Sequence, residues 1–123
     1  MYELVVEKQI EAAHYLRGYQ GKCENLHGHQ YSVVVRLKTA RLNDIGLAFD
    51  FTDIKRYLNQ ILERMDHVCL NDIPPFDKIN PSAENIATTI FNELKTRLKN
   101  EEAKVAAVEV WENPKQGAVY TED

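Results

Sequence analysis

From His27 to Lys38 the chain alternates cleanly, with only Val34 apolar on the polar side. His27, His29, Tyr31, Val33, Val35 and Leu37 fall on one side; Gln30, Ser32, Arg36 and Lys38 fall on the other. Residues two apart share a face of an extended strand, so this period predicts a strand with one buried face. A strand of that kind needs neighbours in a sheet and a second layer to cover its apolar side. It also puts two imidazoles at the end of that apolar side.

Residues 2 to 14 repeat the pattern: Leu4, Val6, Ile10, Ala12 and His14 share a side, with Lys8 the exception. Gly18 and Gly21 mark a loop, and Asn43-Asp44 with Gly46 a turn. The period then changes. Ile54, Tyr57, Leu58, Ile61, Leu62 and Met65 recur at helical spacing and stop near His67, with Asp50 or Thr52 as cap. After a loop with Asn71-Asp72 and Pro74-Pro75, Asn80 as cap and Pro81 at the first helical position predict a second helix, with Ile86, Ile90, Phe91, Leu94 and Leu98 on its buried side. Residues 104 to 112 read as a strand with Val108, Val110 and Glu112 on one side; Pro114 to Gly117 turns the chain into a short strand, Ala118 to Thr121. The order predicts one α+β domain over residues 1–123, a four-stranded, mainly antiparallel sheet with two helices on one face. Val5 and Val34 on the other face point to packing between copies.

With 15 Lys+Arg against 19 Asp+Glu the formal charge is -4, which argues against a nucleic-acid backbone as partner. No run of about 18 apolar residues predicts a membrane span. The acidic start MYELVVEKQI does not read as a signal peptide. Two cysteines, Cys23 and Cys69, are too few for a disulfide scaffold, so a cytoplasmic setting is expected.

His27 and His29 project from the same strand face, close enough to share a metal ion, and Gly28 between them permits close approach from behind. If the first two strands form a hairpin, His14 joins them. Three neutral imidazoles with a vacant fourth position describe a catalytic zinc site, whereas unpartnered imidazoles on an apolar face would be costly. Cys23, four residues before His27 and next to Lys22, is a fourth ligand, a base or nucleophile, or an inert loop thiol; spacing does not choose. Cys69 reads as a small buried apolar residue. In Asp66-His67 the carboxylate can fix the imidazole tautomer for proton transfer, or His67 is a cation at a helix C-terminus. Glu112 either meets a cation or a set of donors such as an amino-pyrimidinone edge, or is solvated beyond the strand end.

Glu11-Ala12-Ala13-His14 followed by Cys23-x-x-x-His27-Gly28-His29 resembles the 6-pyruvoyltetrahydropterin synthase superfamily. Phe49-Asp50-Phe51, Asp66-His67 with Leu70-Asn71, Asn80-Pro81-Ser82-Ala83-Glu84-Asn85 and Val110-Trp111-Glu112 match in order. The gap between Cys23 and His27 is most similar to the bacterial 6-carboxytetrahydropterin synthases of the queuosine (7-deazapurine) pathway. The resemblance implies a T-fold whose subunits join into a trimeric barrel, often stacked as a hexamer, with active sites at subunit boundaries. It implies His14, His27 and His29 as Zn2+ ligands, Cys23 as proton acceptor, Asp66 and His67 as its relay, and Glu112 as anchor of the pterin ring and member of the relay. The implied substrate is dihydroneopterin triphosphate, with Lys22 or Arg17 for its phosphates. Ser82 and Asn113 stand where Thr is common. The alternatives are 6-pyruvoyltetrahydropterin synthase activity and a non-catalytic pterin- or metal-binding protein.

Overall fold

The computed structural model describes residues 1–122. Two long strands, β1 (Tyr2–His14) and β2 (His27–Thr39), pair antiparallel over their full length, from Tyr2 opposite Thr39 to His14 opposite His27. Helix α1 (Phe51–Leu62), the two-residue β3 (Val68–Cys69), helix α2 (Ala83–Arg97), β4 (Lys104–Asn113) and β5 (Gln116–Tyr120) follow. The sheet order is β3-β1-β2-β4-β5. The α+β expectation and the two helices hold.

Among the described residues the sheet has five strands, not four. β3 pairs in parallel with Ala12 and Ala13 of β1. Two residues are too short to leave a period in the sequence, so β3 exists only because the edge of β1 offers it a partner. Helix α1 also ends at Leu62, earlier than the apolar spacing suggests. Met65 is fully buried from the turns that follow, so its place in the pattern reports burial and not helix.

Both helices have caps that explain their starts. The Asp50 carboxylate accepts from Thr52 N at 2.8 Å. At α2 the cap is Ser82, whose hydroxyl accepts from Asn85 N at 3.1 Å, and not Asn80 as the Asn-Pro pair suggests. The final strand starts two residues earlier than expected, at Gln116.

The core lies between the sheet and the helices. Tyr31, Val33, Val35 and Leu37 of β2 meet Ile54, Leu58 and Ile61 of α1 and Ile86, Ile90 and Leu94 of α2, all at most 2% exposed. The face of β2 that carries histidines is therefore the core face. The opposite face has no layer on it: Val5 is 46% exposed.

Two irregularities shape β4. Its register against β2 steps between Arg36 and Leu37, and its register against β5 steps between Trp111 and Asn113. The second step makes Glu112 the extra residue of a bulge. Bulges re-aim side chains. Here Glu112 lies one residue past the Ser32–Trp111 pair, at the strand end where β2 carries His27 and His29.

A candidate metal centre with a thiol beside it

The hairpin register brings the three histidines together. His14 is the Cα partner of His27, and Ala12 that of His29, so the imidazoles leave the same face at one end of the sheet. Their ring centroids are 4.5 Å (His14–His27), 5.1 Å (His14–His29) and 4.9 Å (His27–His29) apart. One ligand atom from each of these rings and from Glu112 all lie within 4.8 Å of one another.

Hydrogen bonds decide which nitrogens face inward. His14 Nδ1 donates to the Pro81 carbonyl at 2.7 Å, and His27 Nδ1 donates to the Asn25 carbonyl at 2.7 Å. A carbonyl oxygen only accepts, so both rings carry their proton on Nδ1 and turn the Nε2 lone pair inward, toward the other rings. Carbonyl partners of this kind orient metal-binding imidazoles. The Nε2 atoms of His14 and His29 are buried and have no hydrogen-bond partner. Unpaired buried nitrogens cost free energy, and a divalent cation would satisfy them. The residues present therefore fit a metal ion. Burial is the main cause that holds both His14 and His29 below the ordinary imidazole pKa, which favours the neutral form that a metal requires.

Glu112 fills the fourth corner. Its Oε2 lies 3.1 Å from His29 Nε2 and 3.5 Å from His14 Nε2 without hydrogen-bond geometry; it attracts these rings only when they are protonated. Gln116 Nε2 donates to its other oxygen at 3.4 Å. The solvated alternative for Glu112 is thereby set aside. The sequence does not single out Gln116 or Tyr31. Tyr31 is buried under the centre with its hydroxyl 3.0 Å from His14 Nδ1, and its place two residues beyond His29 on the same face is the signal that could have found it.

Cys23 is half-buried in a single 3-10 turn, Lys22–Glu24. With Lys22, His27, His29, Glu112 and Gln116 it lines a cleft of about 230 Å³. It is not among the residues whose ligand atoms converge. Arg17 is committed elsewhere: its guanidinium donates to the carbonyls of Phe76, Ile79 and Asn71 at 2.9, 3.4 and 3.5 Å.

Asp66 and His67 form the expected pair, with Asp66 Oδ1 2.9 Å from His67 Nδ1. His67 stands five residues past the end of α1 with φ 60°, so it is not the cation of that helix's last turn. A second carboxylate the sequence did not suggest, Glu11, lies 3.4 Å from its Nε2. His67 lines a different cleft, of about 500 Å³, whose wall includes His29, Gly28, Val68 and Cys69. Cys69 is half-buried there, not fully buried as expected. Within one chain Cys23 and His67 therefore line separate clefts, with His29 common to both.

The described residues contain no helix long and apolar enough to cross a membrane. Comparison with known proteins agrees with this architecture. The chain is 31% identical to 6-carboxy-5,6,7,8-tetrahydropterin synthase of Haemophilus influenzae, covering 99% of this chain and 100% of that protein. It is 31% identical to the protein of the same name from Bacillus subtilis, covering 97% and 84%. The solved structure of Caenorhabditis elegans 6-pyruvoyl tetrahydropterin synthase superposes with a TM-score of 0.85 at 27% identity, over 100% of this chain and 98% of that one. The T-fold expected from the sequence is the fold of these structural neighbours. Since the pattern that defines 6-pyruvoyl tetrahydropterin synthase matches residues 3–123, histidine cluster included, this chain belongs to that family.

Proposed function

We propose that the protein is a cytoplasmic, zinc-dependent lyase that converts 7,8-dihydroneopterin triphosphate and one water to 6-carboxy-5,6,7,8-tetrahydropterin, with release of triphosphate and acetaldehyde, in queuosine and 7-deazapurine synthesis. One observation carries this reading: buried, unbonded imidazole nitrogens converge at the end of a cleft that also holds a thiol. His14, His27 and His29 are the residues that would hold zinc. Zinc bound there supplies Lewis-acid polarisation of the substrate's side-chain oxygens.

The chain's own groups do the rest. Cys23, as thiolate, takes a proton from the substrate side chain. Asp66 holds His67 by Nδ1, and Nε2, with Glu11 3.4 Å away, exchanges a proton with the intermediate. Glu112 turns from the histidines to the ring and accepts from the neighbouring N–H groups of the pterin's guanidine-like edge. Lys22 is the better placed of the two basic candidates for the triphosphate, because the Arg17 guanidinium is already used by three carbonyls.

The protein works as a homo-oligomer built on trimers, a hexamer if two trimers stack; the separation of Cys23 from His67 supports a site shared between copies and does not itself fix their number. A subunit boundary that sets His67 of the partner subunit against Cys23 would complete the set. Exposed apolar side chains, Leu26 at 63%, Ile45 at 79% and Val119 at 56% on the edge strand β5, are consistent with such contacts.

The name of the C. elegans structural neighbour favours a second reading, formation of 6-pyruvoyltetrahydropterin. Incubation of the purified protein with dihydroneopterin triphosphate, followed by mass spectrometry, separates the two. The carboxylated pterin with acetaldehyde supports the first. A pyruvoyl product without acetaldehyde supports the second. No product from protein that holds nearly one metal per chain would make it a non-catalytic binding protein.

A further inference from the structure

Past His14, β1 ends as a strand, yet its hydrogen bonding continues for three residues. Tyr15 N donates to Asn71 Oδ1 at 3.0 Å, and Asn71 Nδ2 donates back to the Tyr15 carbonyl at 3.0 Å. Arg17 repeats the exchange with Asn80: N to Oδ1 at 2.9 Å, and Nδ2 to the Arg17 carbonyl at 3.0 Å. Between them Leu16 N donates to the Cys23 carbonyl at 2.8 Å, toward the other edge. This is the alternation of a strand. A side-chain carboxamide carries the same donor and acceptor as a peptide group, so Asn71 and Asn80 act as a missing neighbouring strand.

The same segment grips β1 further back. Glu11 N donates to Asp66 Oδ1 at 2.8 Å, its carbonyl accepts from His67 N, and β3 pairs with Ala12 and Ala13. Next to Asn80, the Pro81 carbonyl accepts from His14 Nδ1. One stretch of chain, Asp66 to Pro81, therefore carries the Asp66–His67 pair, touches His14 and, by flanking Leu16 on both sides, reaches the Cys23 turn.

We propose that Asn71 and Asn80 are positioning residues, whose carboxamides extend β1 and so set Cys23 and the Nε2 of His14 in fixed relation. The role rests on the metal and thiol reading given above, and neither asparagine touches substrate. Only asparagine supplies both halves of the exchange at this reach: aspartate lacks the donor, and alanine lacks both.

The test uses Asn80→Ala, Asn80→Asp and Asn71→Asp in the full-length protein, with Arg64→Ala as control. Arg64 pairs with Glu93 at 2.8 and 2.6 Å and takes no part in the Asn71 or Asn80 exchanges, so its loss lowers melting temperature while leaving both carboxamide pairs in place. Zinc affinity is read by chelator competition, kcat and KM are read separately, and Cys23 alkylation by iodoacetamide is timed in metal-free protein carrying Cys69→Ser. The expected result for Asn80→Ala is zinc binding weaker by about tenfold, as for other groups that orient metal ligands. Its kcat falls with little change in KM, and its alkylation rate changes several-fold. Asn80→Asp falls between, and Arg64→Ala matches the parent in all three. Asn80 is half-buried, so if Asn71→Asp does not fold, the Asn80 pair decides alone. Variants at Asn80 that match Arg64→Ala in zinc affinity, kcat and alkylation would overturn the proposal. If the parent itself binds no zinc, the metal reading fails. The alkylation rate then judges the asparagines without it.

Discussion

Glu112 carries the sharpest question at the residue scale. Its carboxylate stands 3.1 Å from His29 Nε2, where a fourth ligand would be, while its proposed role is to hold the pterin ring. The two roles predict different losses. As ring anchor, Glu112→Gln keeps zinc affinity within about threefold and lowers kcat/KM by about a hundredfold, the loss expected when a charged hydrogen-bond partner of a bound ring is neutralised. As ligand, the same change weakens zinc by well over tenfold. Isothermal titration with zinc and steady-state kinetics on one preparation separate them. A second prediction concerns acid. His14 and His29 are held below the ordinary imidazole pKa mainly by burial; Glu112 opposes the shift in both, and the Pro81 carbonyl opposes it in His14. Without metal, the unfolded chain takes up these protons near pH 6.5 and the folded chain only at lower pH. The folded state then binds fewer protons, so stability is complete above pH 6.5 and declines as pH falls toward the folded values. Melting curves of chelator-treated protein at stepwise pH should show this decline. Replacement of His29 by Gln should flatten it, and an equal slope in that variant would count against the assignment.

At the scale of elements, caps and bulges did what the apolar period could not. The asparagine and proline at 80 and 81 carry the expected start signal for α2, but the helix begins two residues later on Ser82. Asn80 is drawn to the backbone of Arg17 instead, a long-range partner that no local pattern reveals. Ser82→Ala should cost about 1 kcal/mol of stability, the usual loss for a capping hydroxyl, and Ser82→Thr should retain most of it. Denaturant unfolding of the two variants measures this, and equal midpoints for Ser82→Ala and the parent would show that the hydroxyl does not cap. The bulge at Glu112 is of the same kind. Alternation places Glu112 on the side of Val108 and Val110, but the step between Trp111 and Asn113 comes from pairing with β5. The long β1 and β2 were legible because each alternates over more than ten residues against a single buried face. β3 was not, because two residues have no period.

For the molecule as a whole, the open question is how Cys23 meets His67. They line separate clefts of one chain, and the sheet face opposite the helices is uncovered. If copies share sites, Cys23→Ala and His67→Ala proteins should each be inactive, and partial activity should return when the two are unfolded and reassembled together. Light scattering should give a mass near three or six times that of the chain. Reassembled mixtures that stay inactive, with each variant correctly assembled, would place both groups in one subunit's site. The sequence alone determined the two-layer plan and the His27–His29 pair, because strand periodicity is local and puts those two on one face whatever surrounds them; the register of the hairpin is what adds His14. Tertiary structure alone decided which imidazole nitrogens turn inward, that Glu112 joins them, and that the segment from Asp66 to Pro81 grips the edge of β1. Those outcomes depend on backbone carbonyls and carboxamides far apart in the chain, whose partners are chosen by distance in the folded state and leave no spacing for a sequence to display.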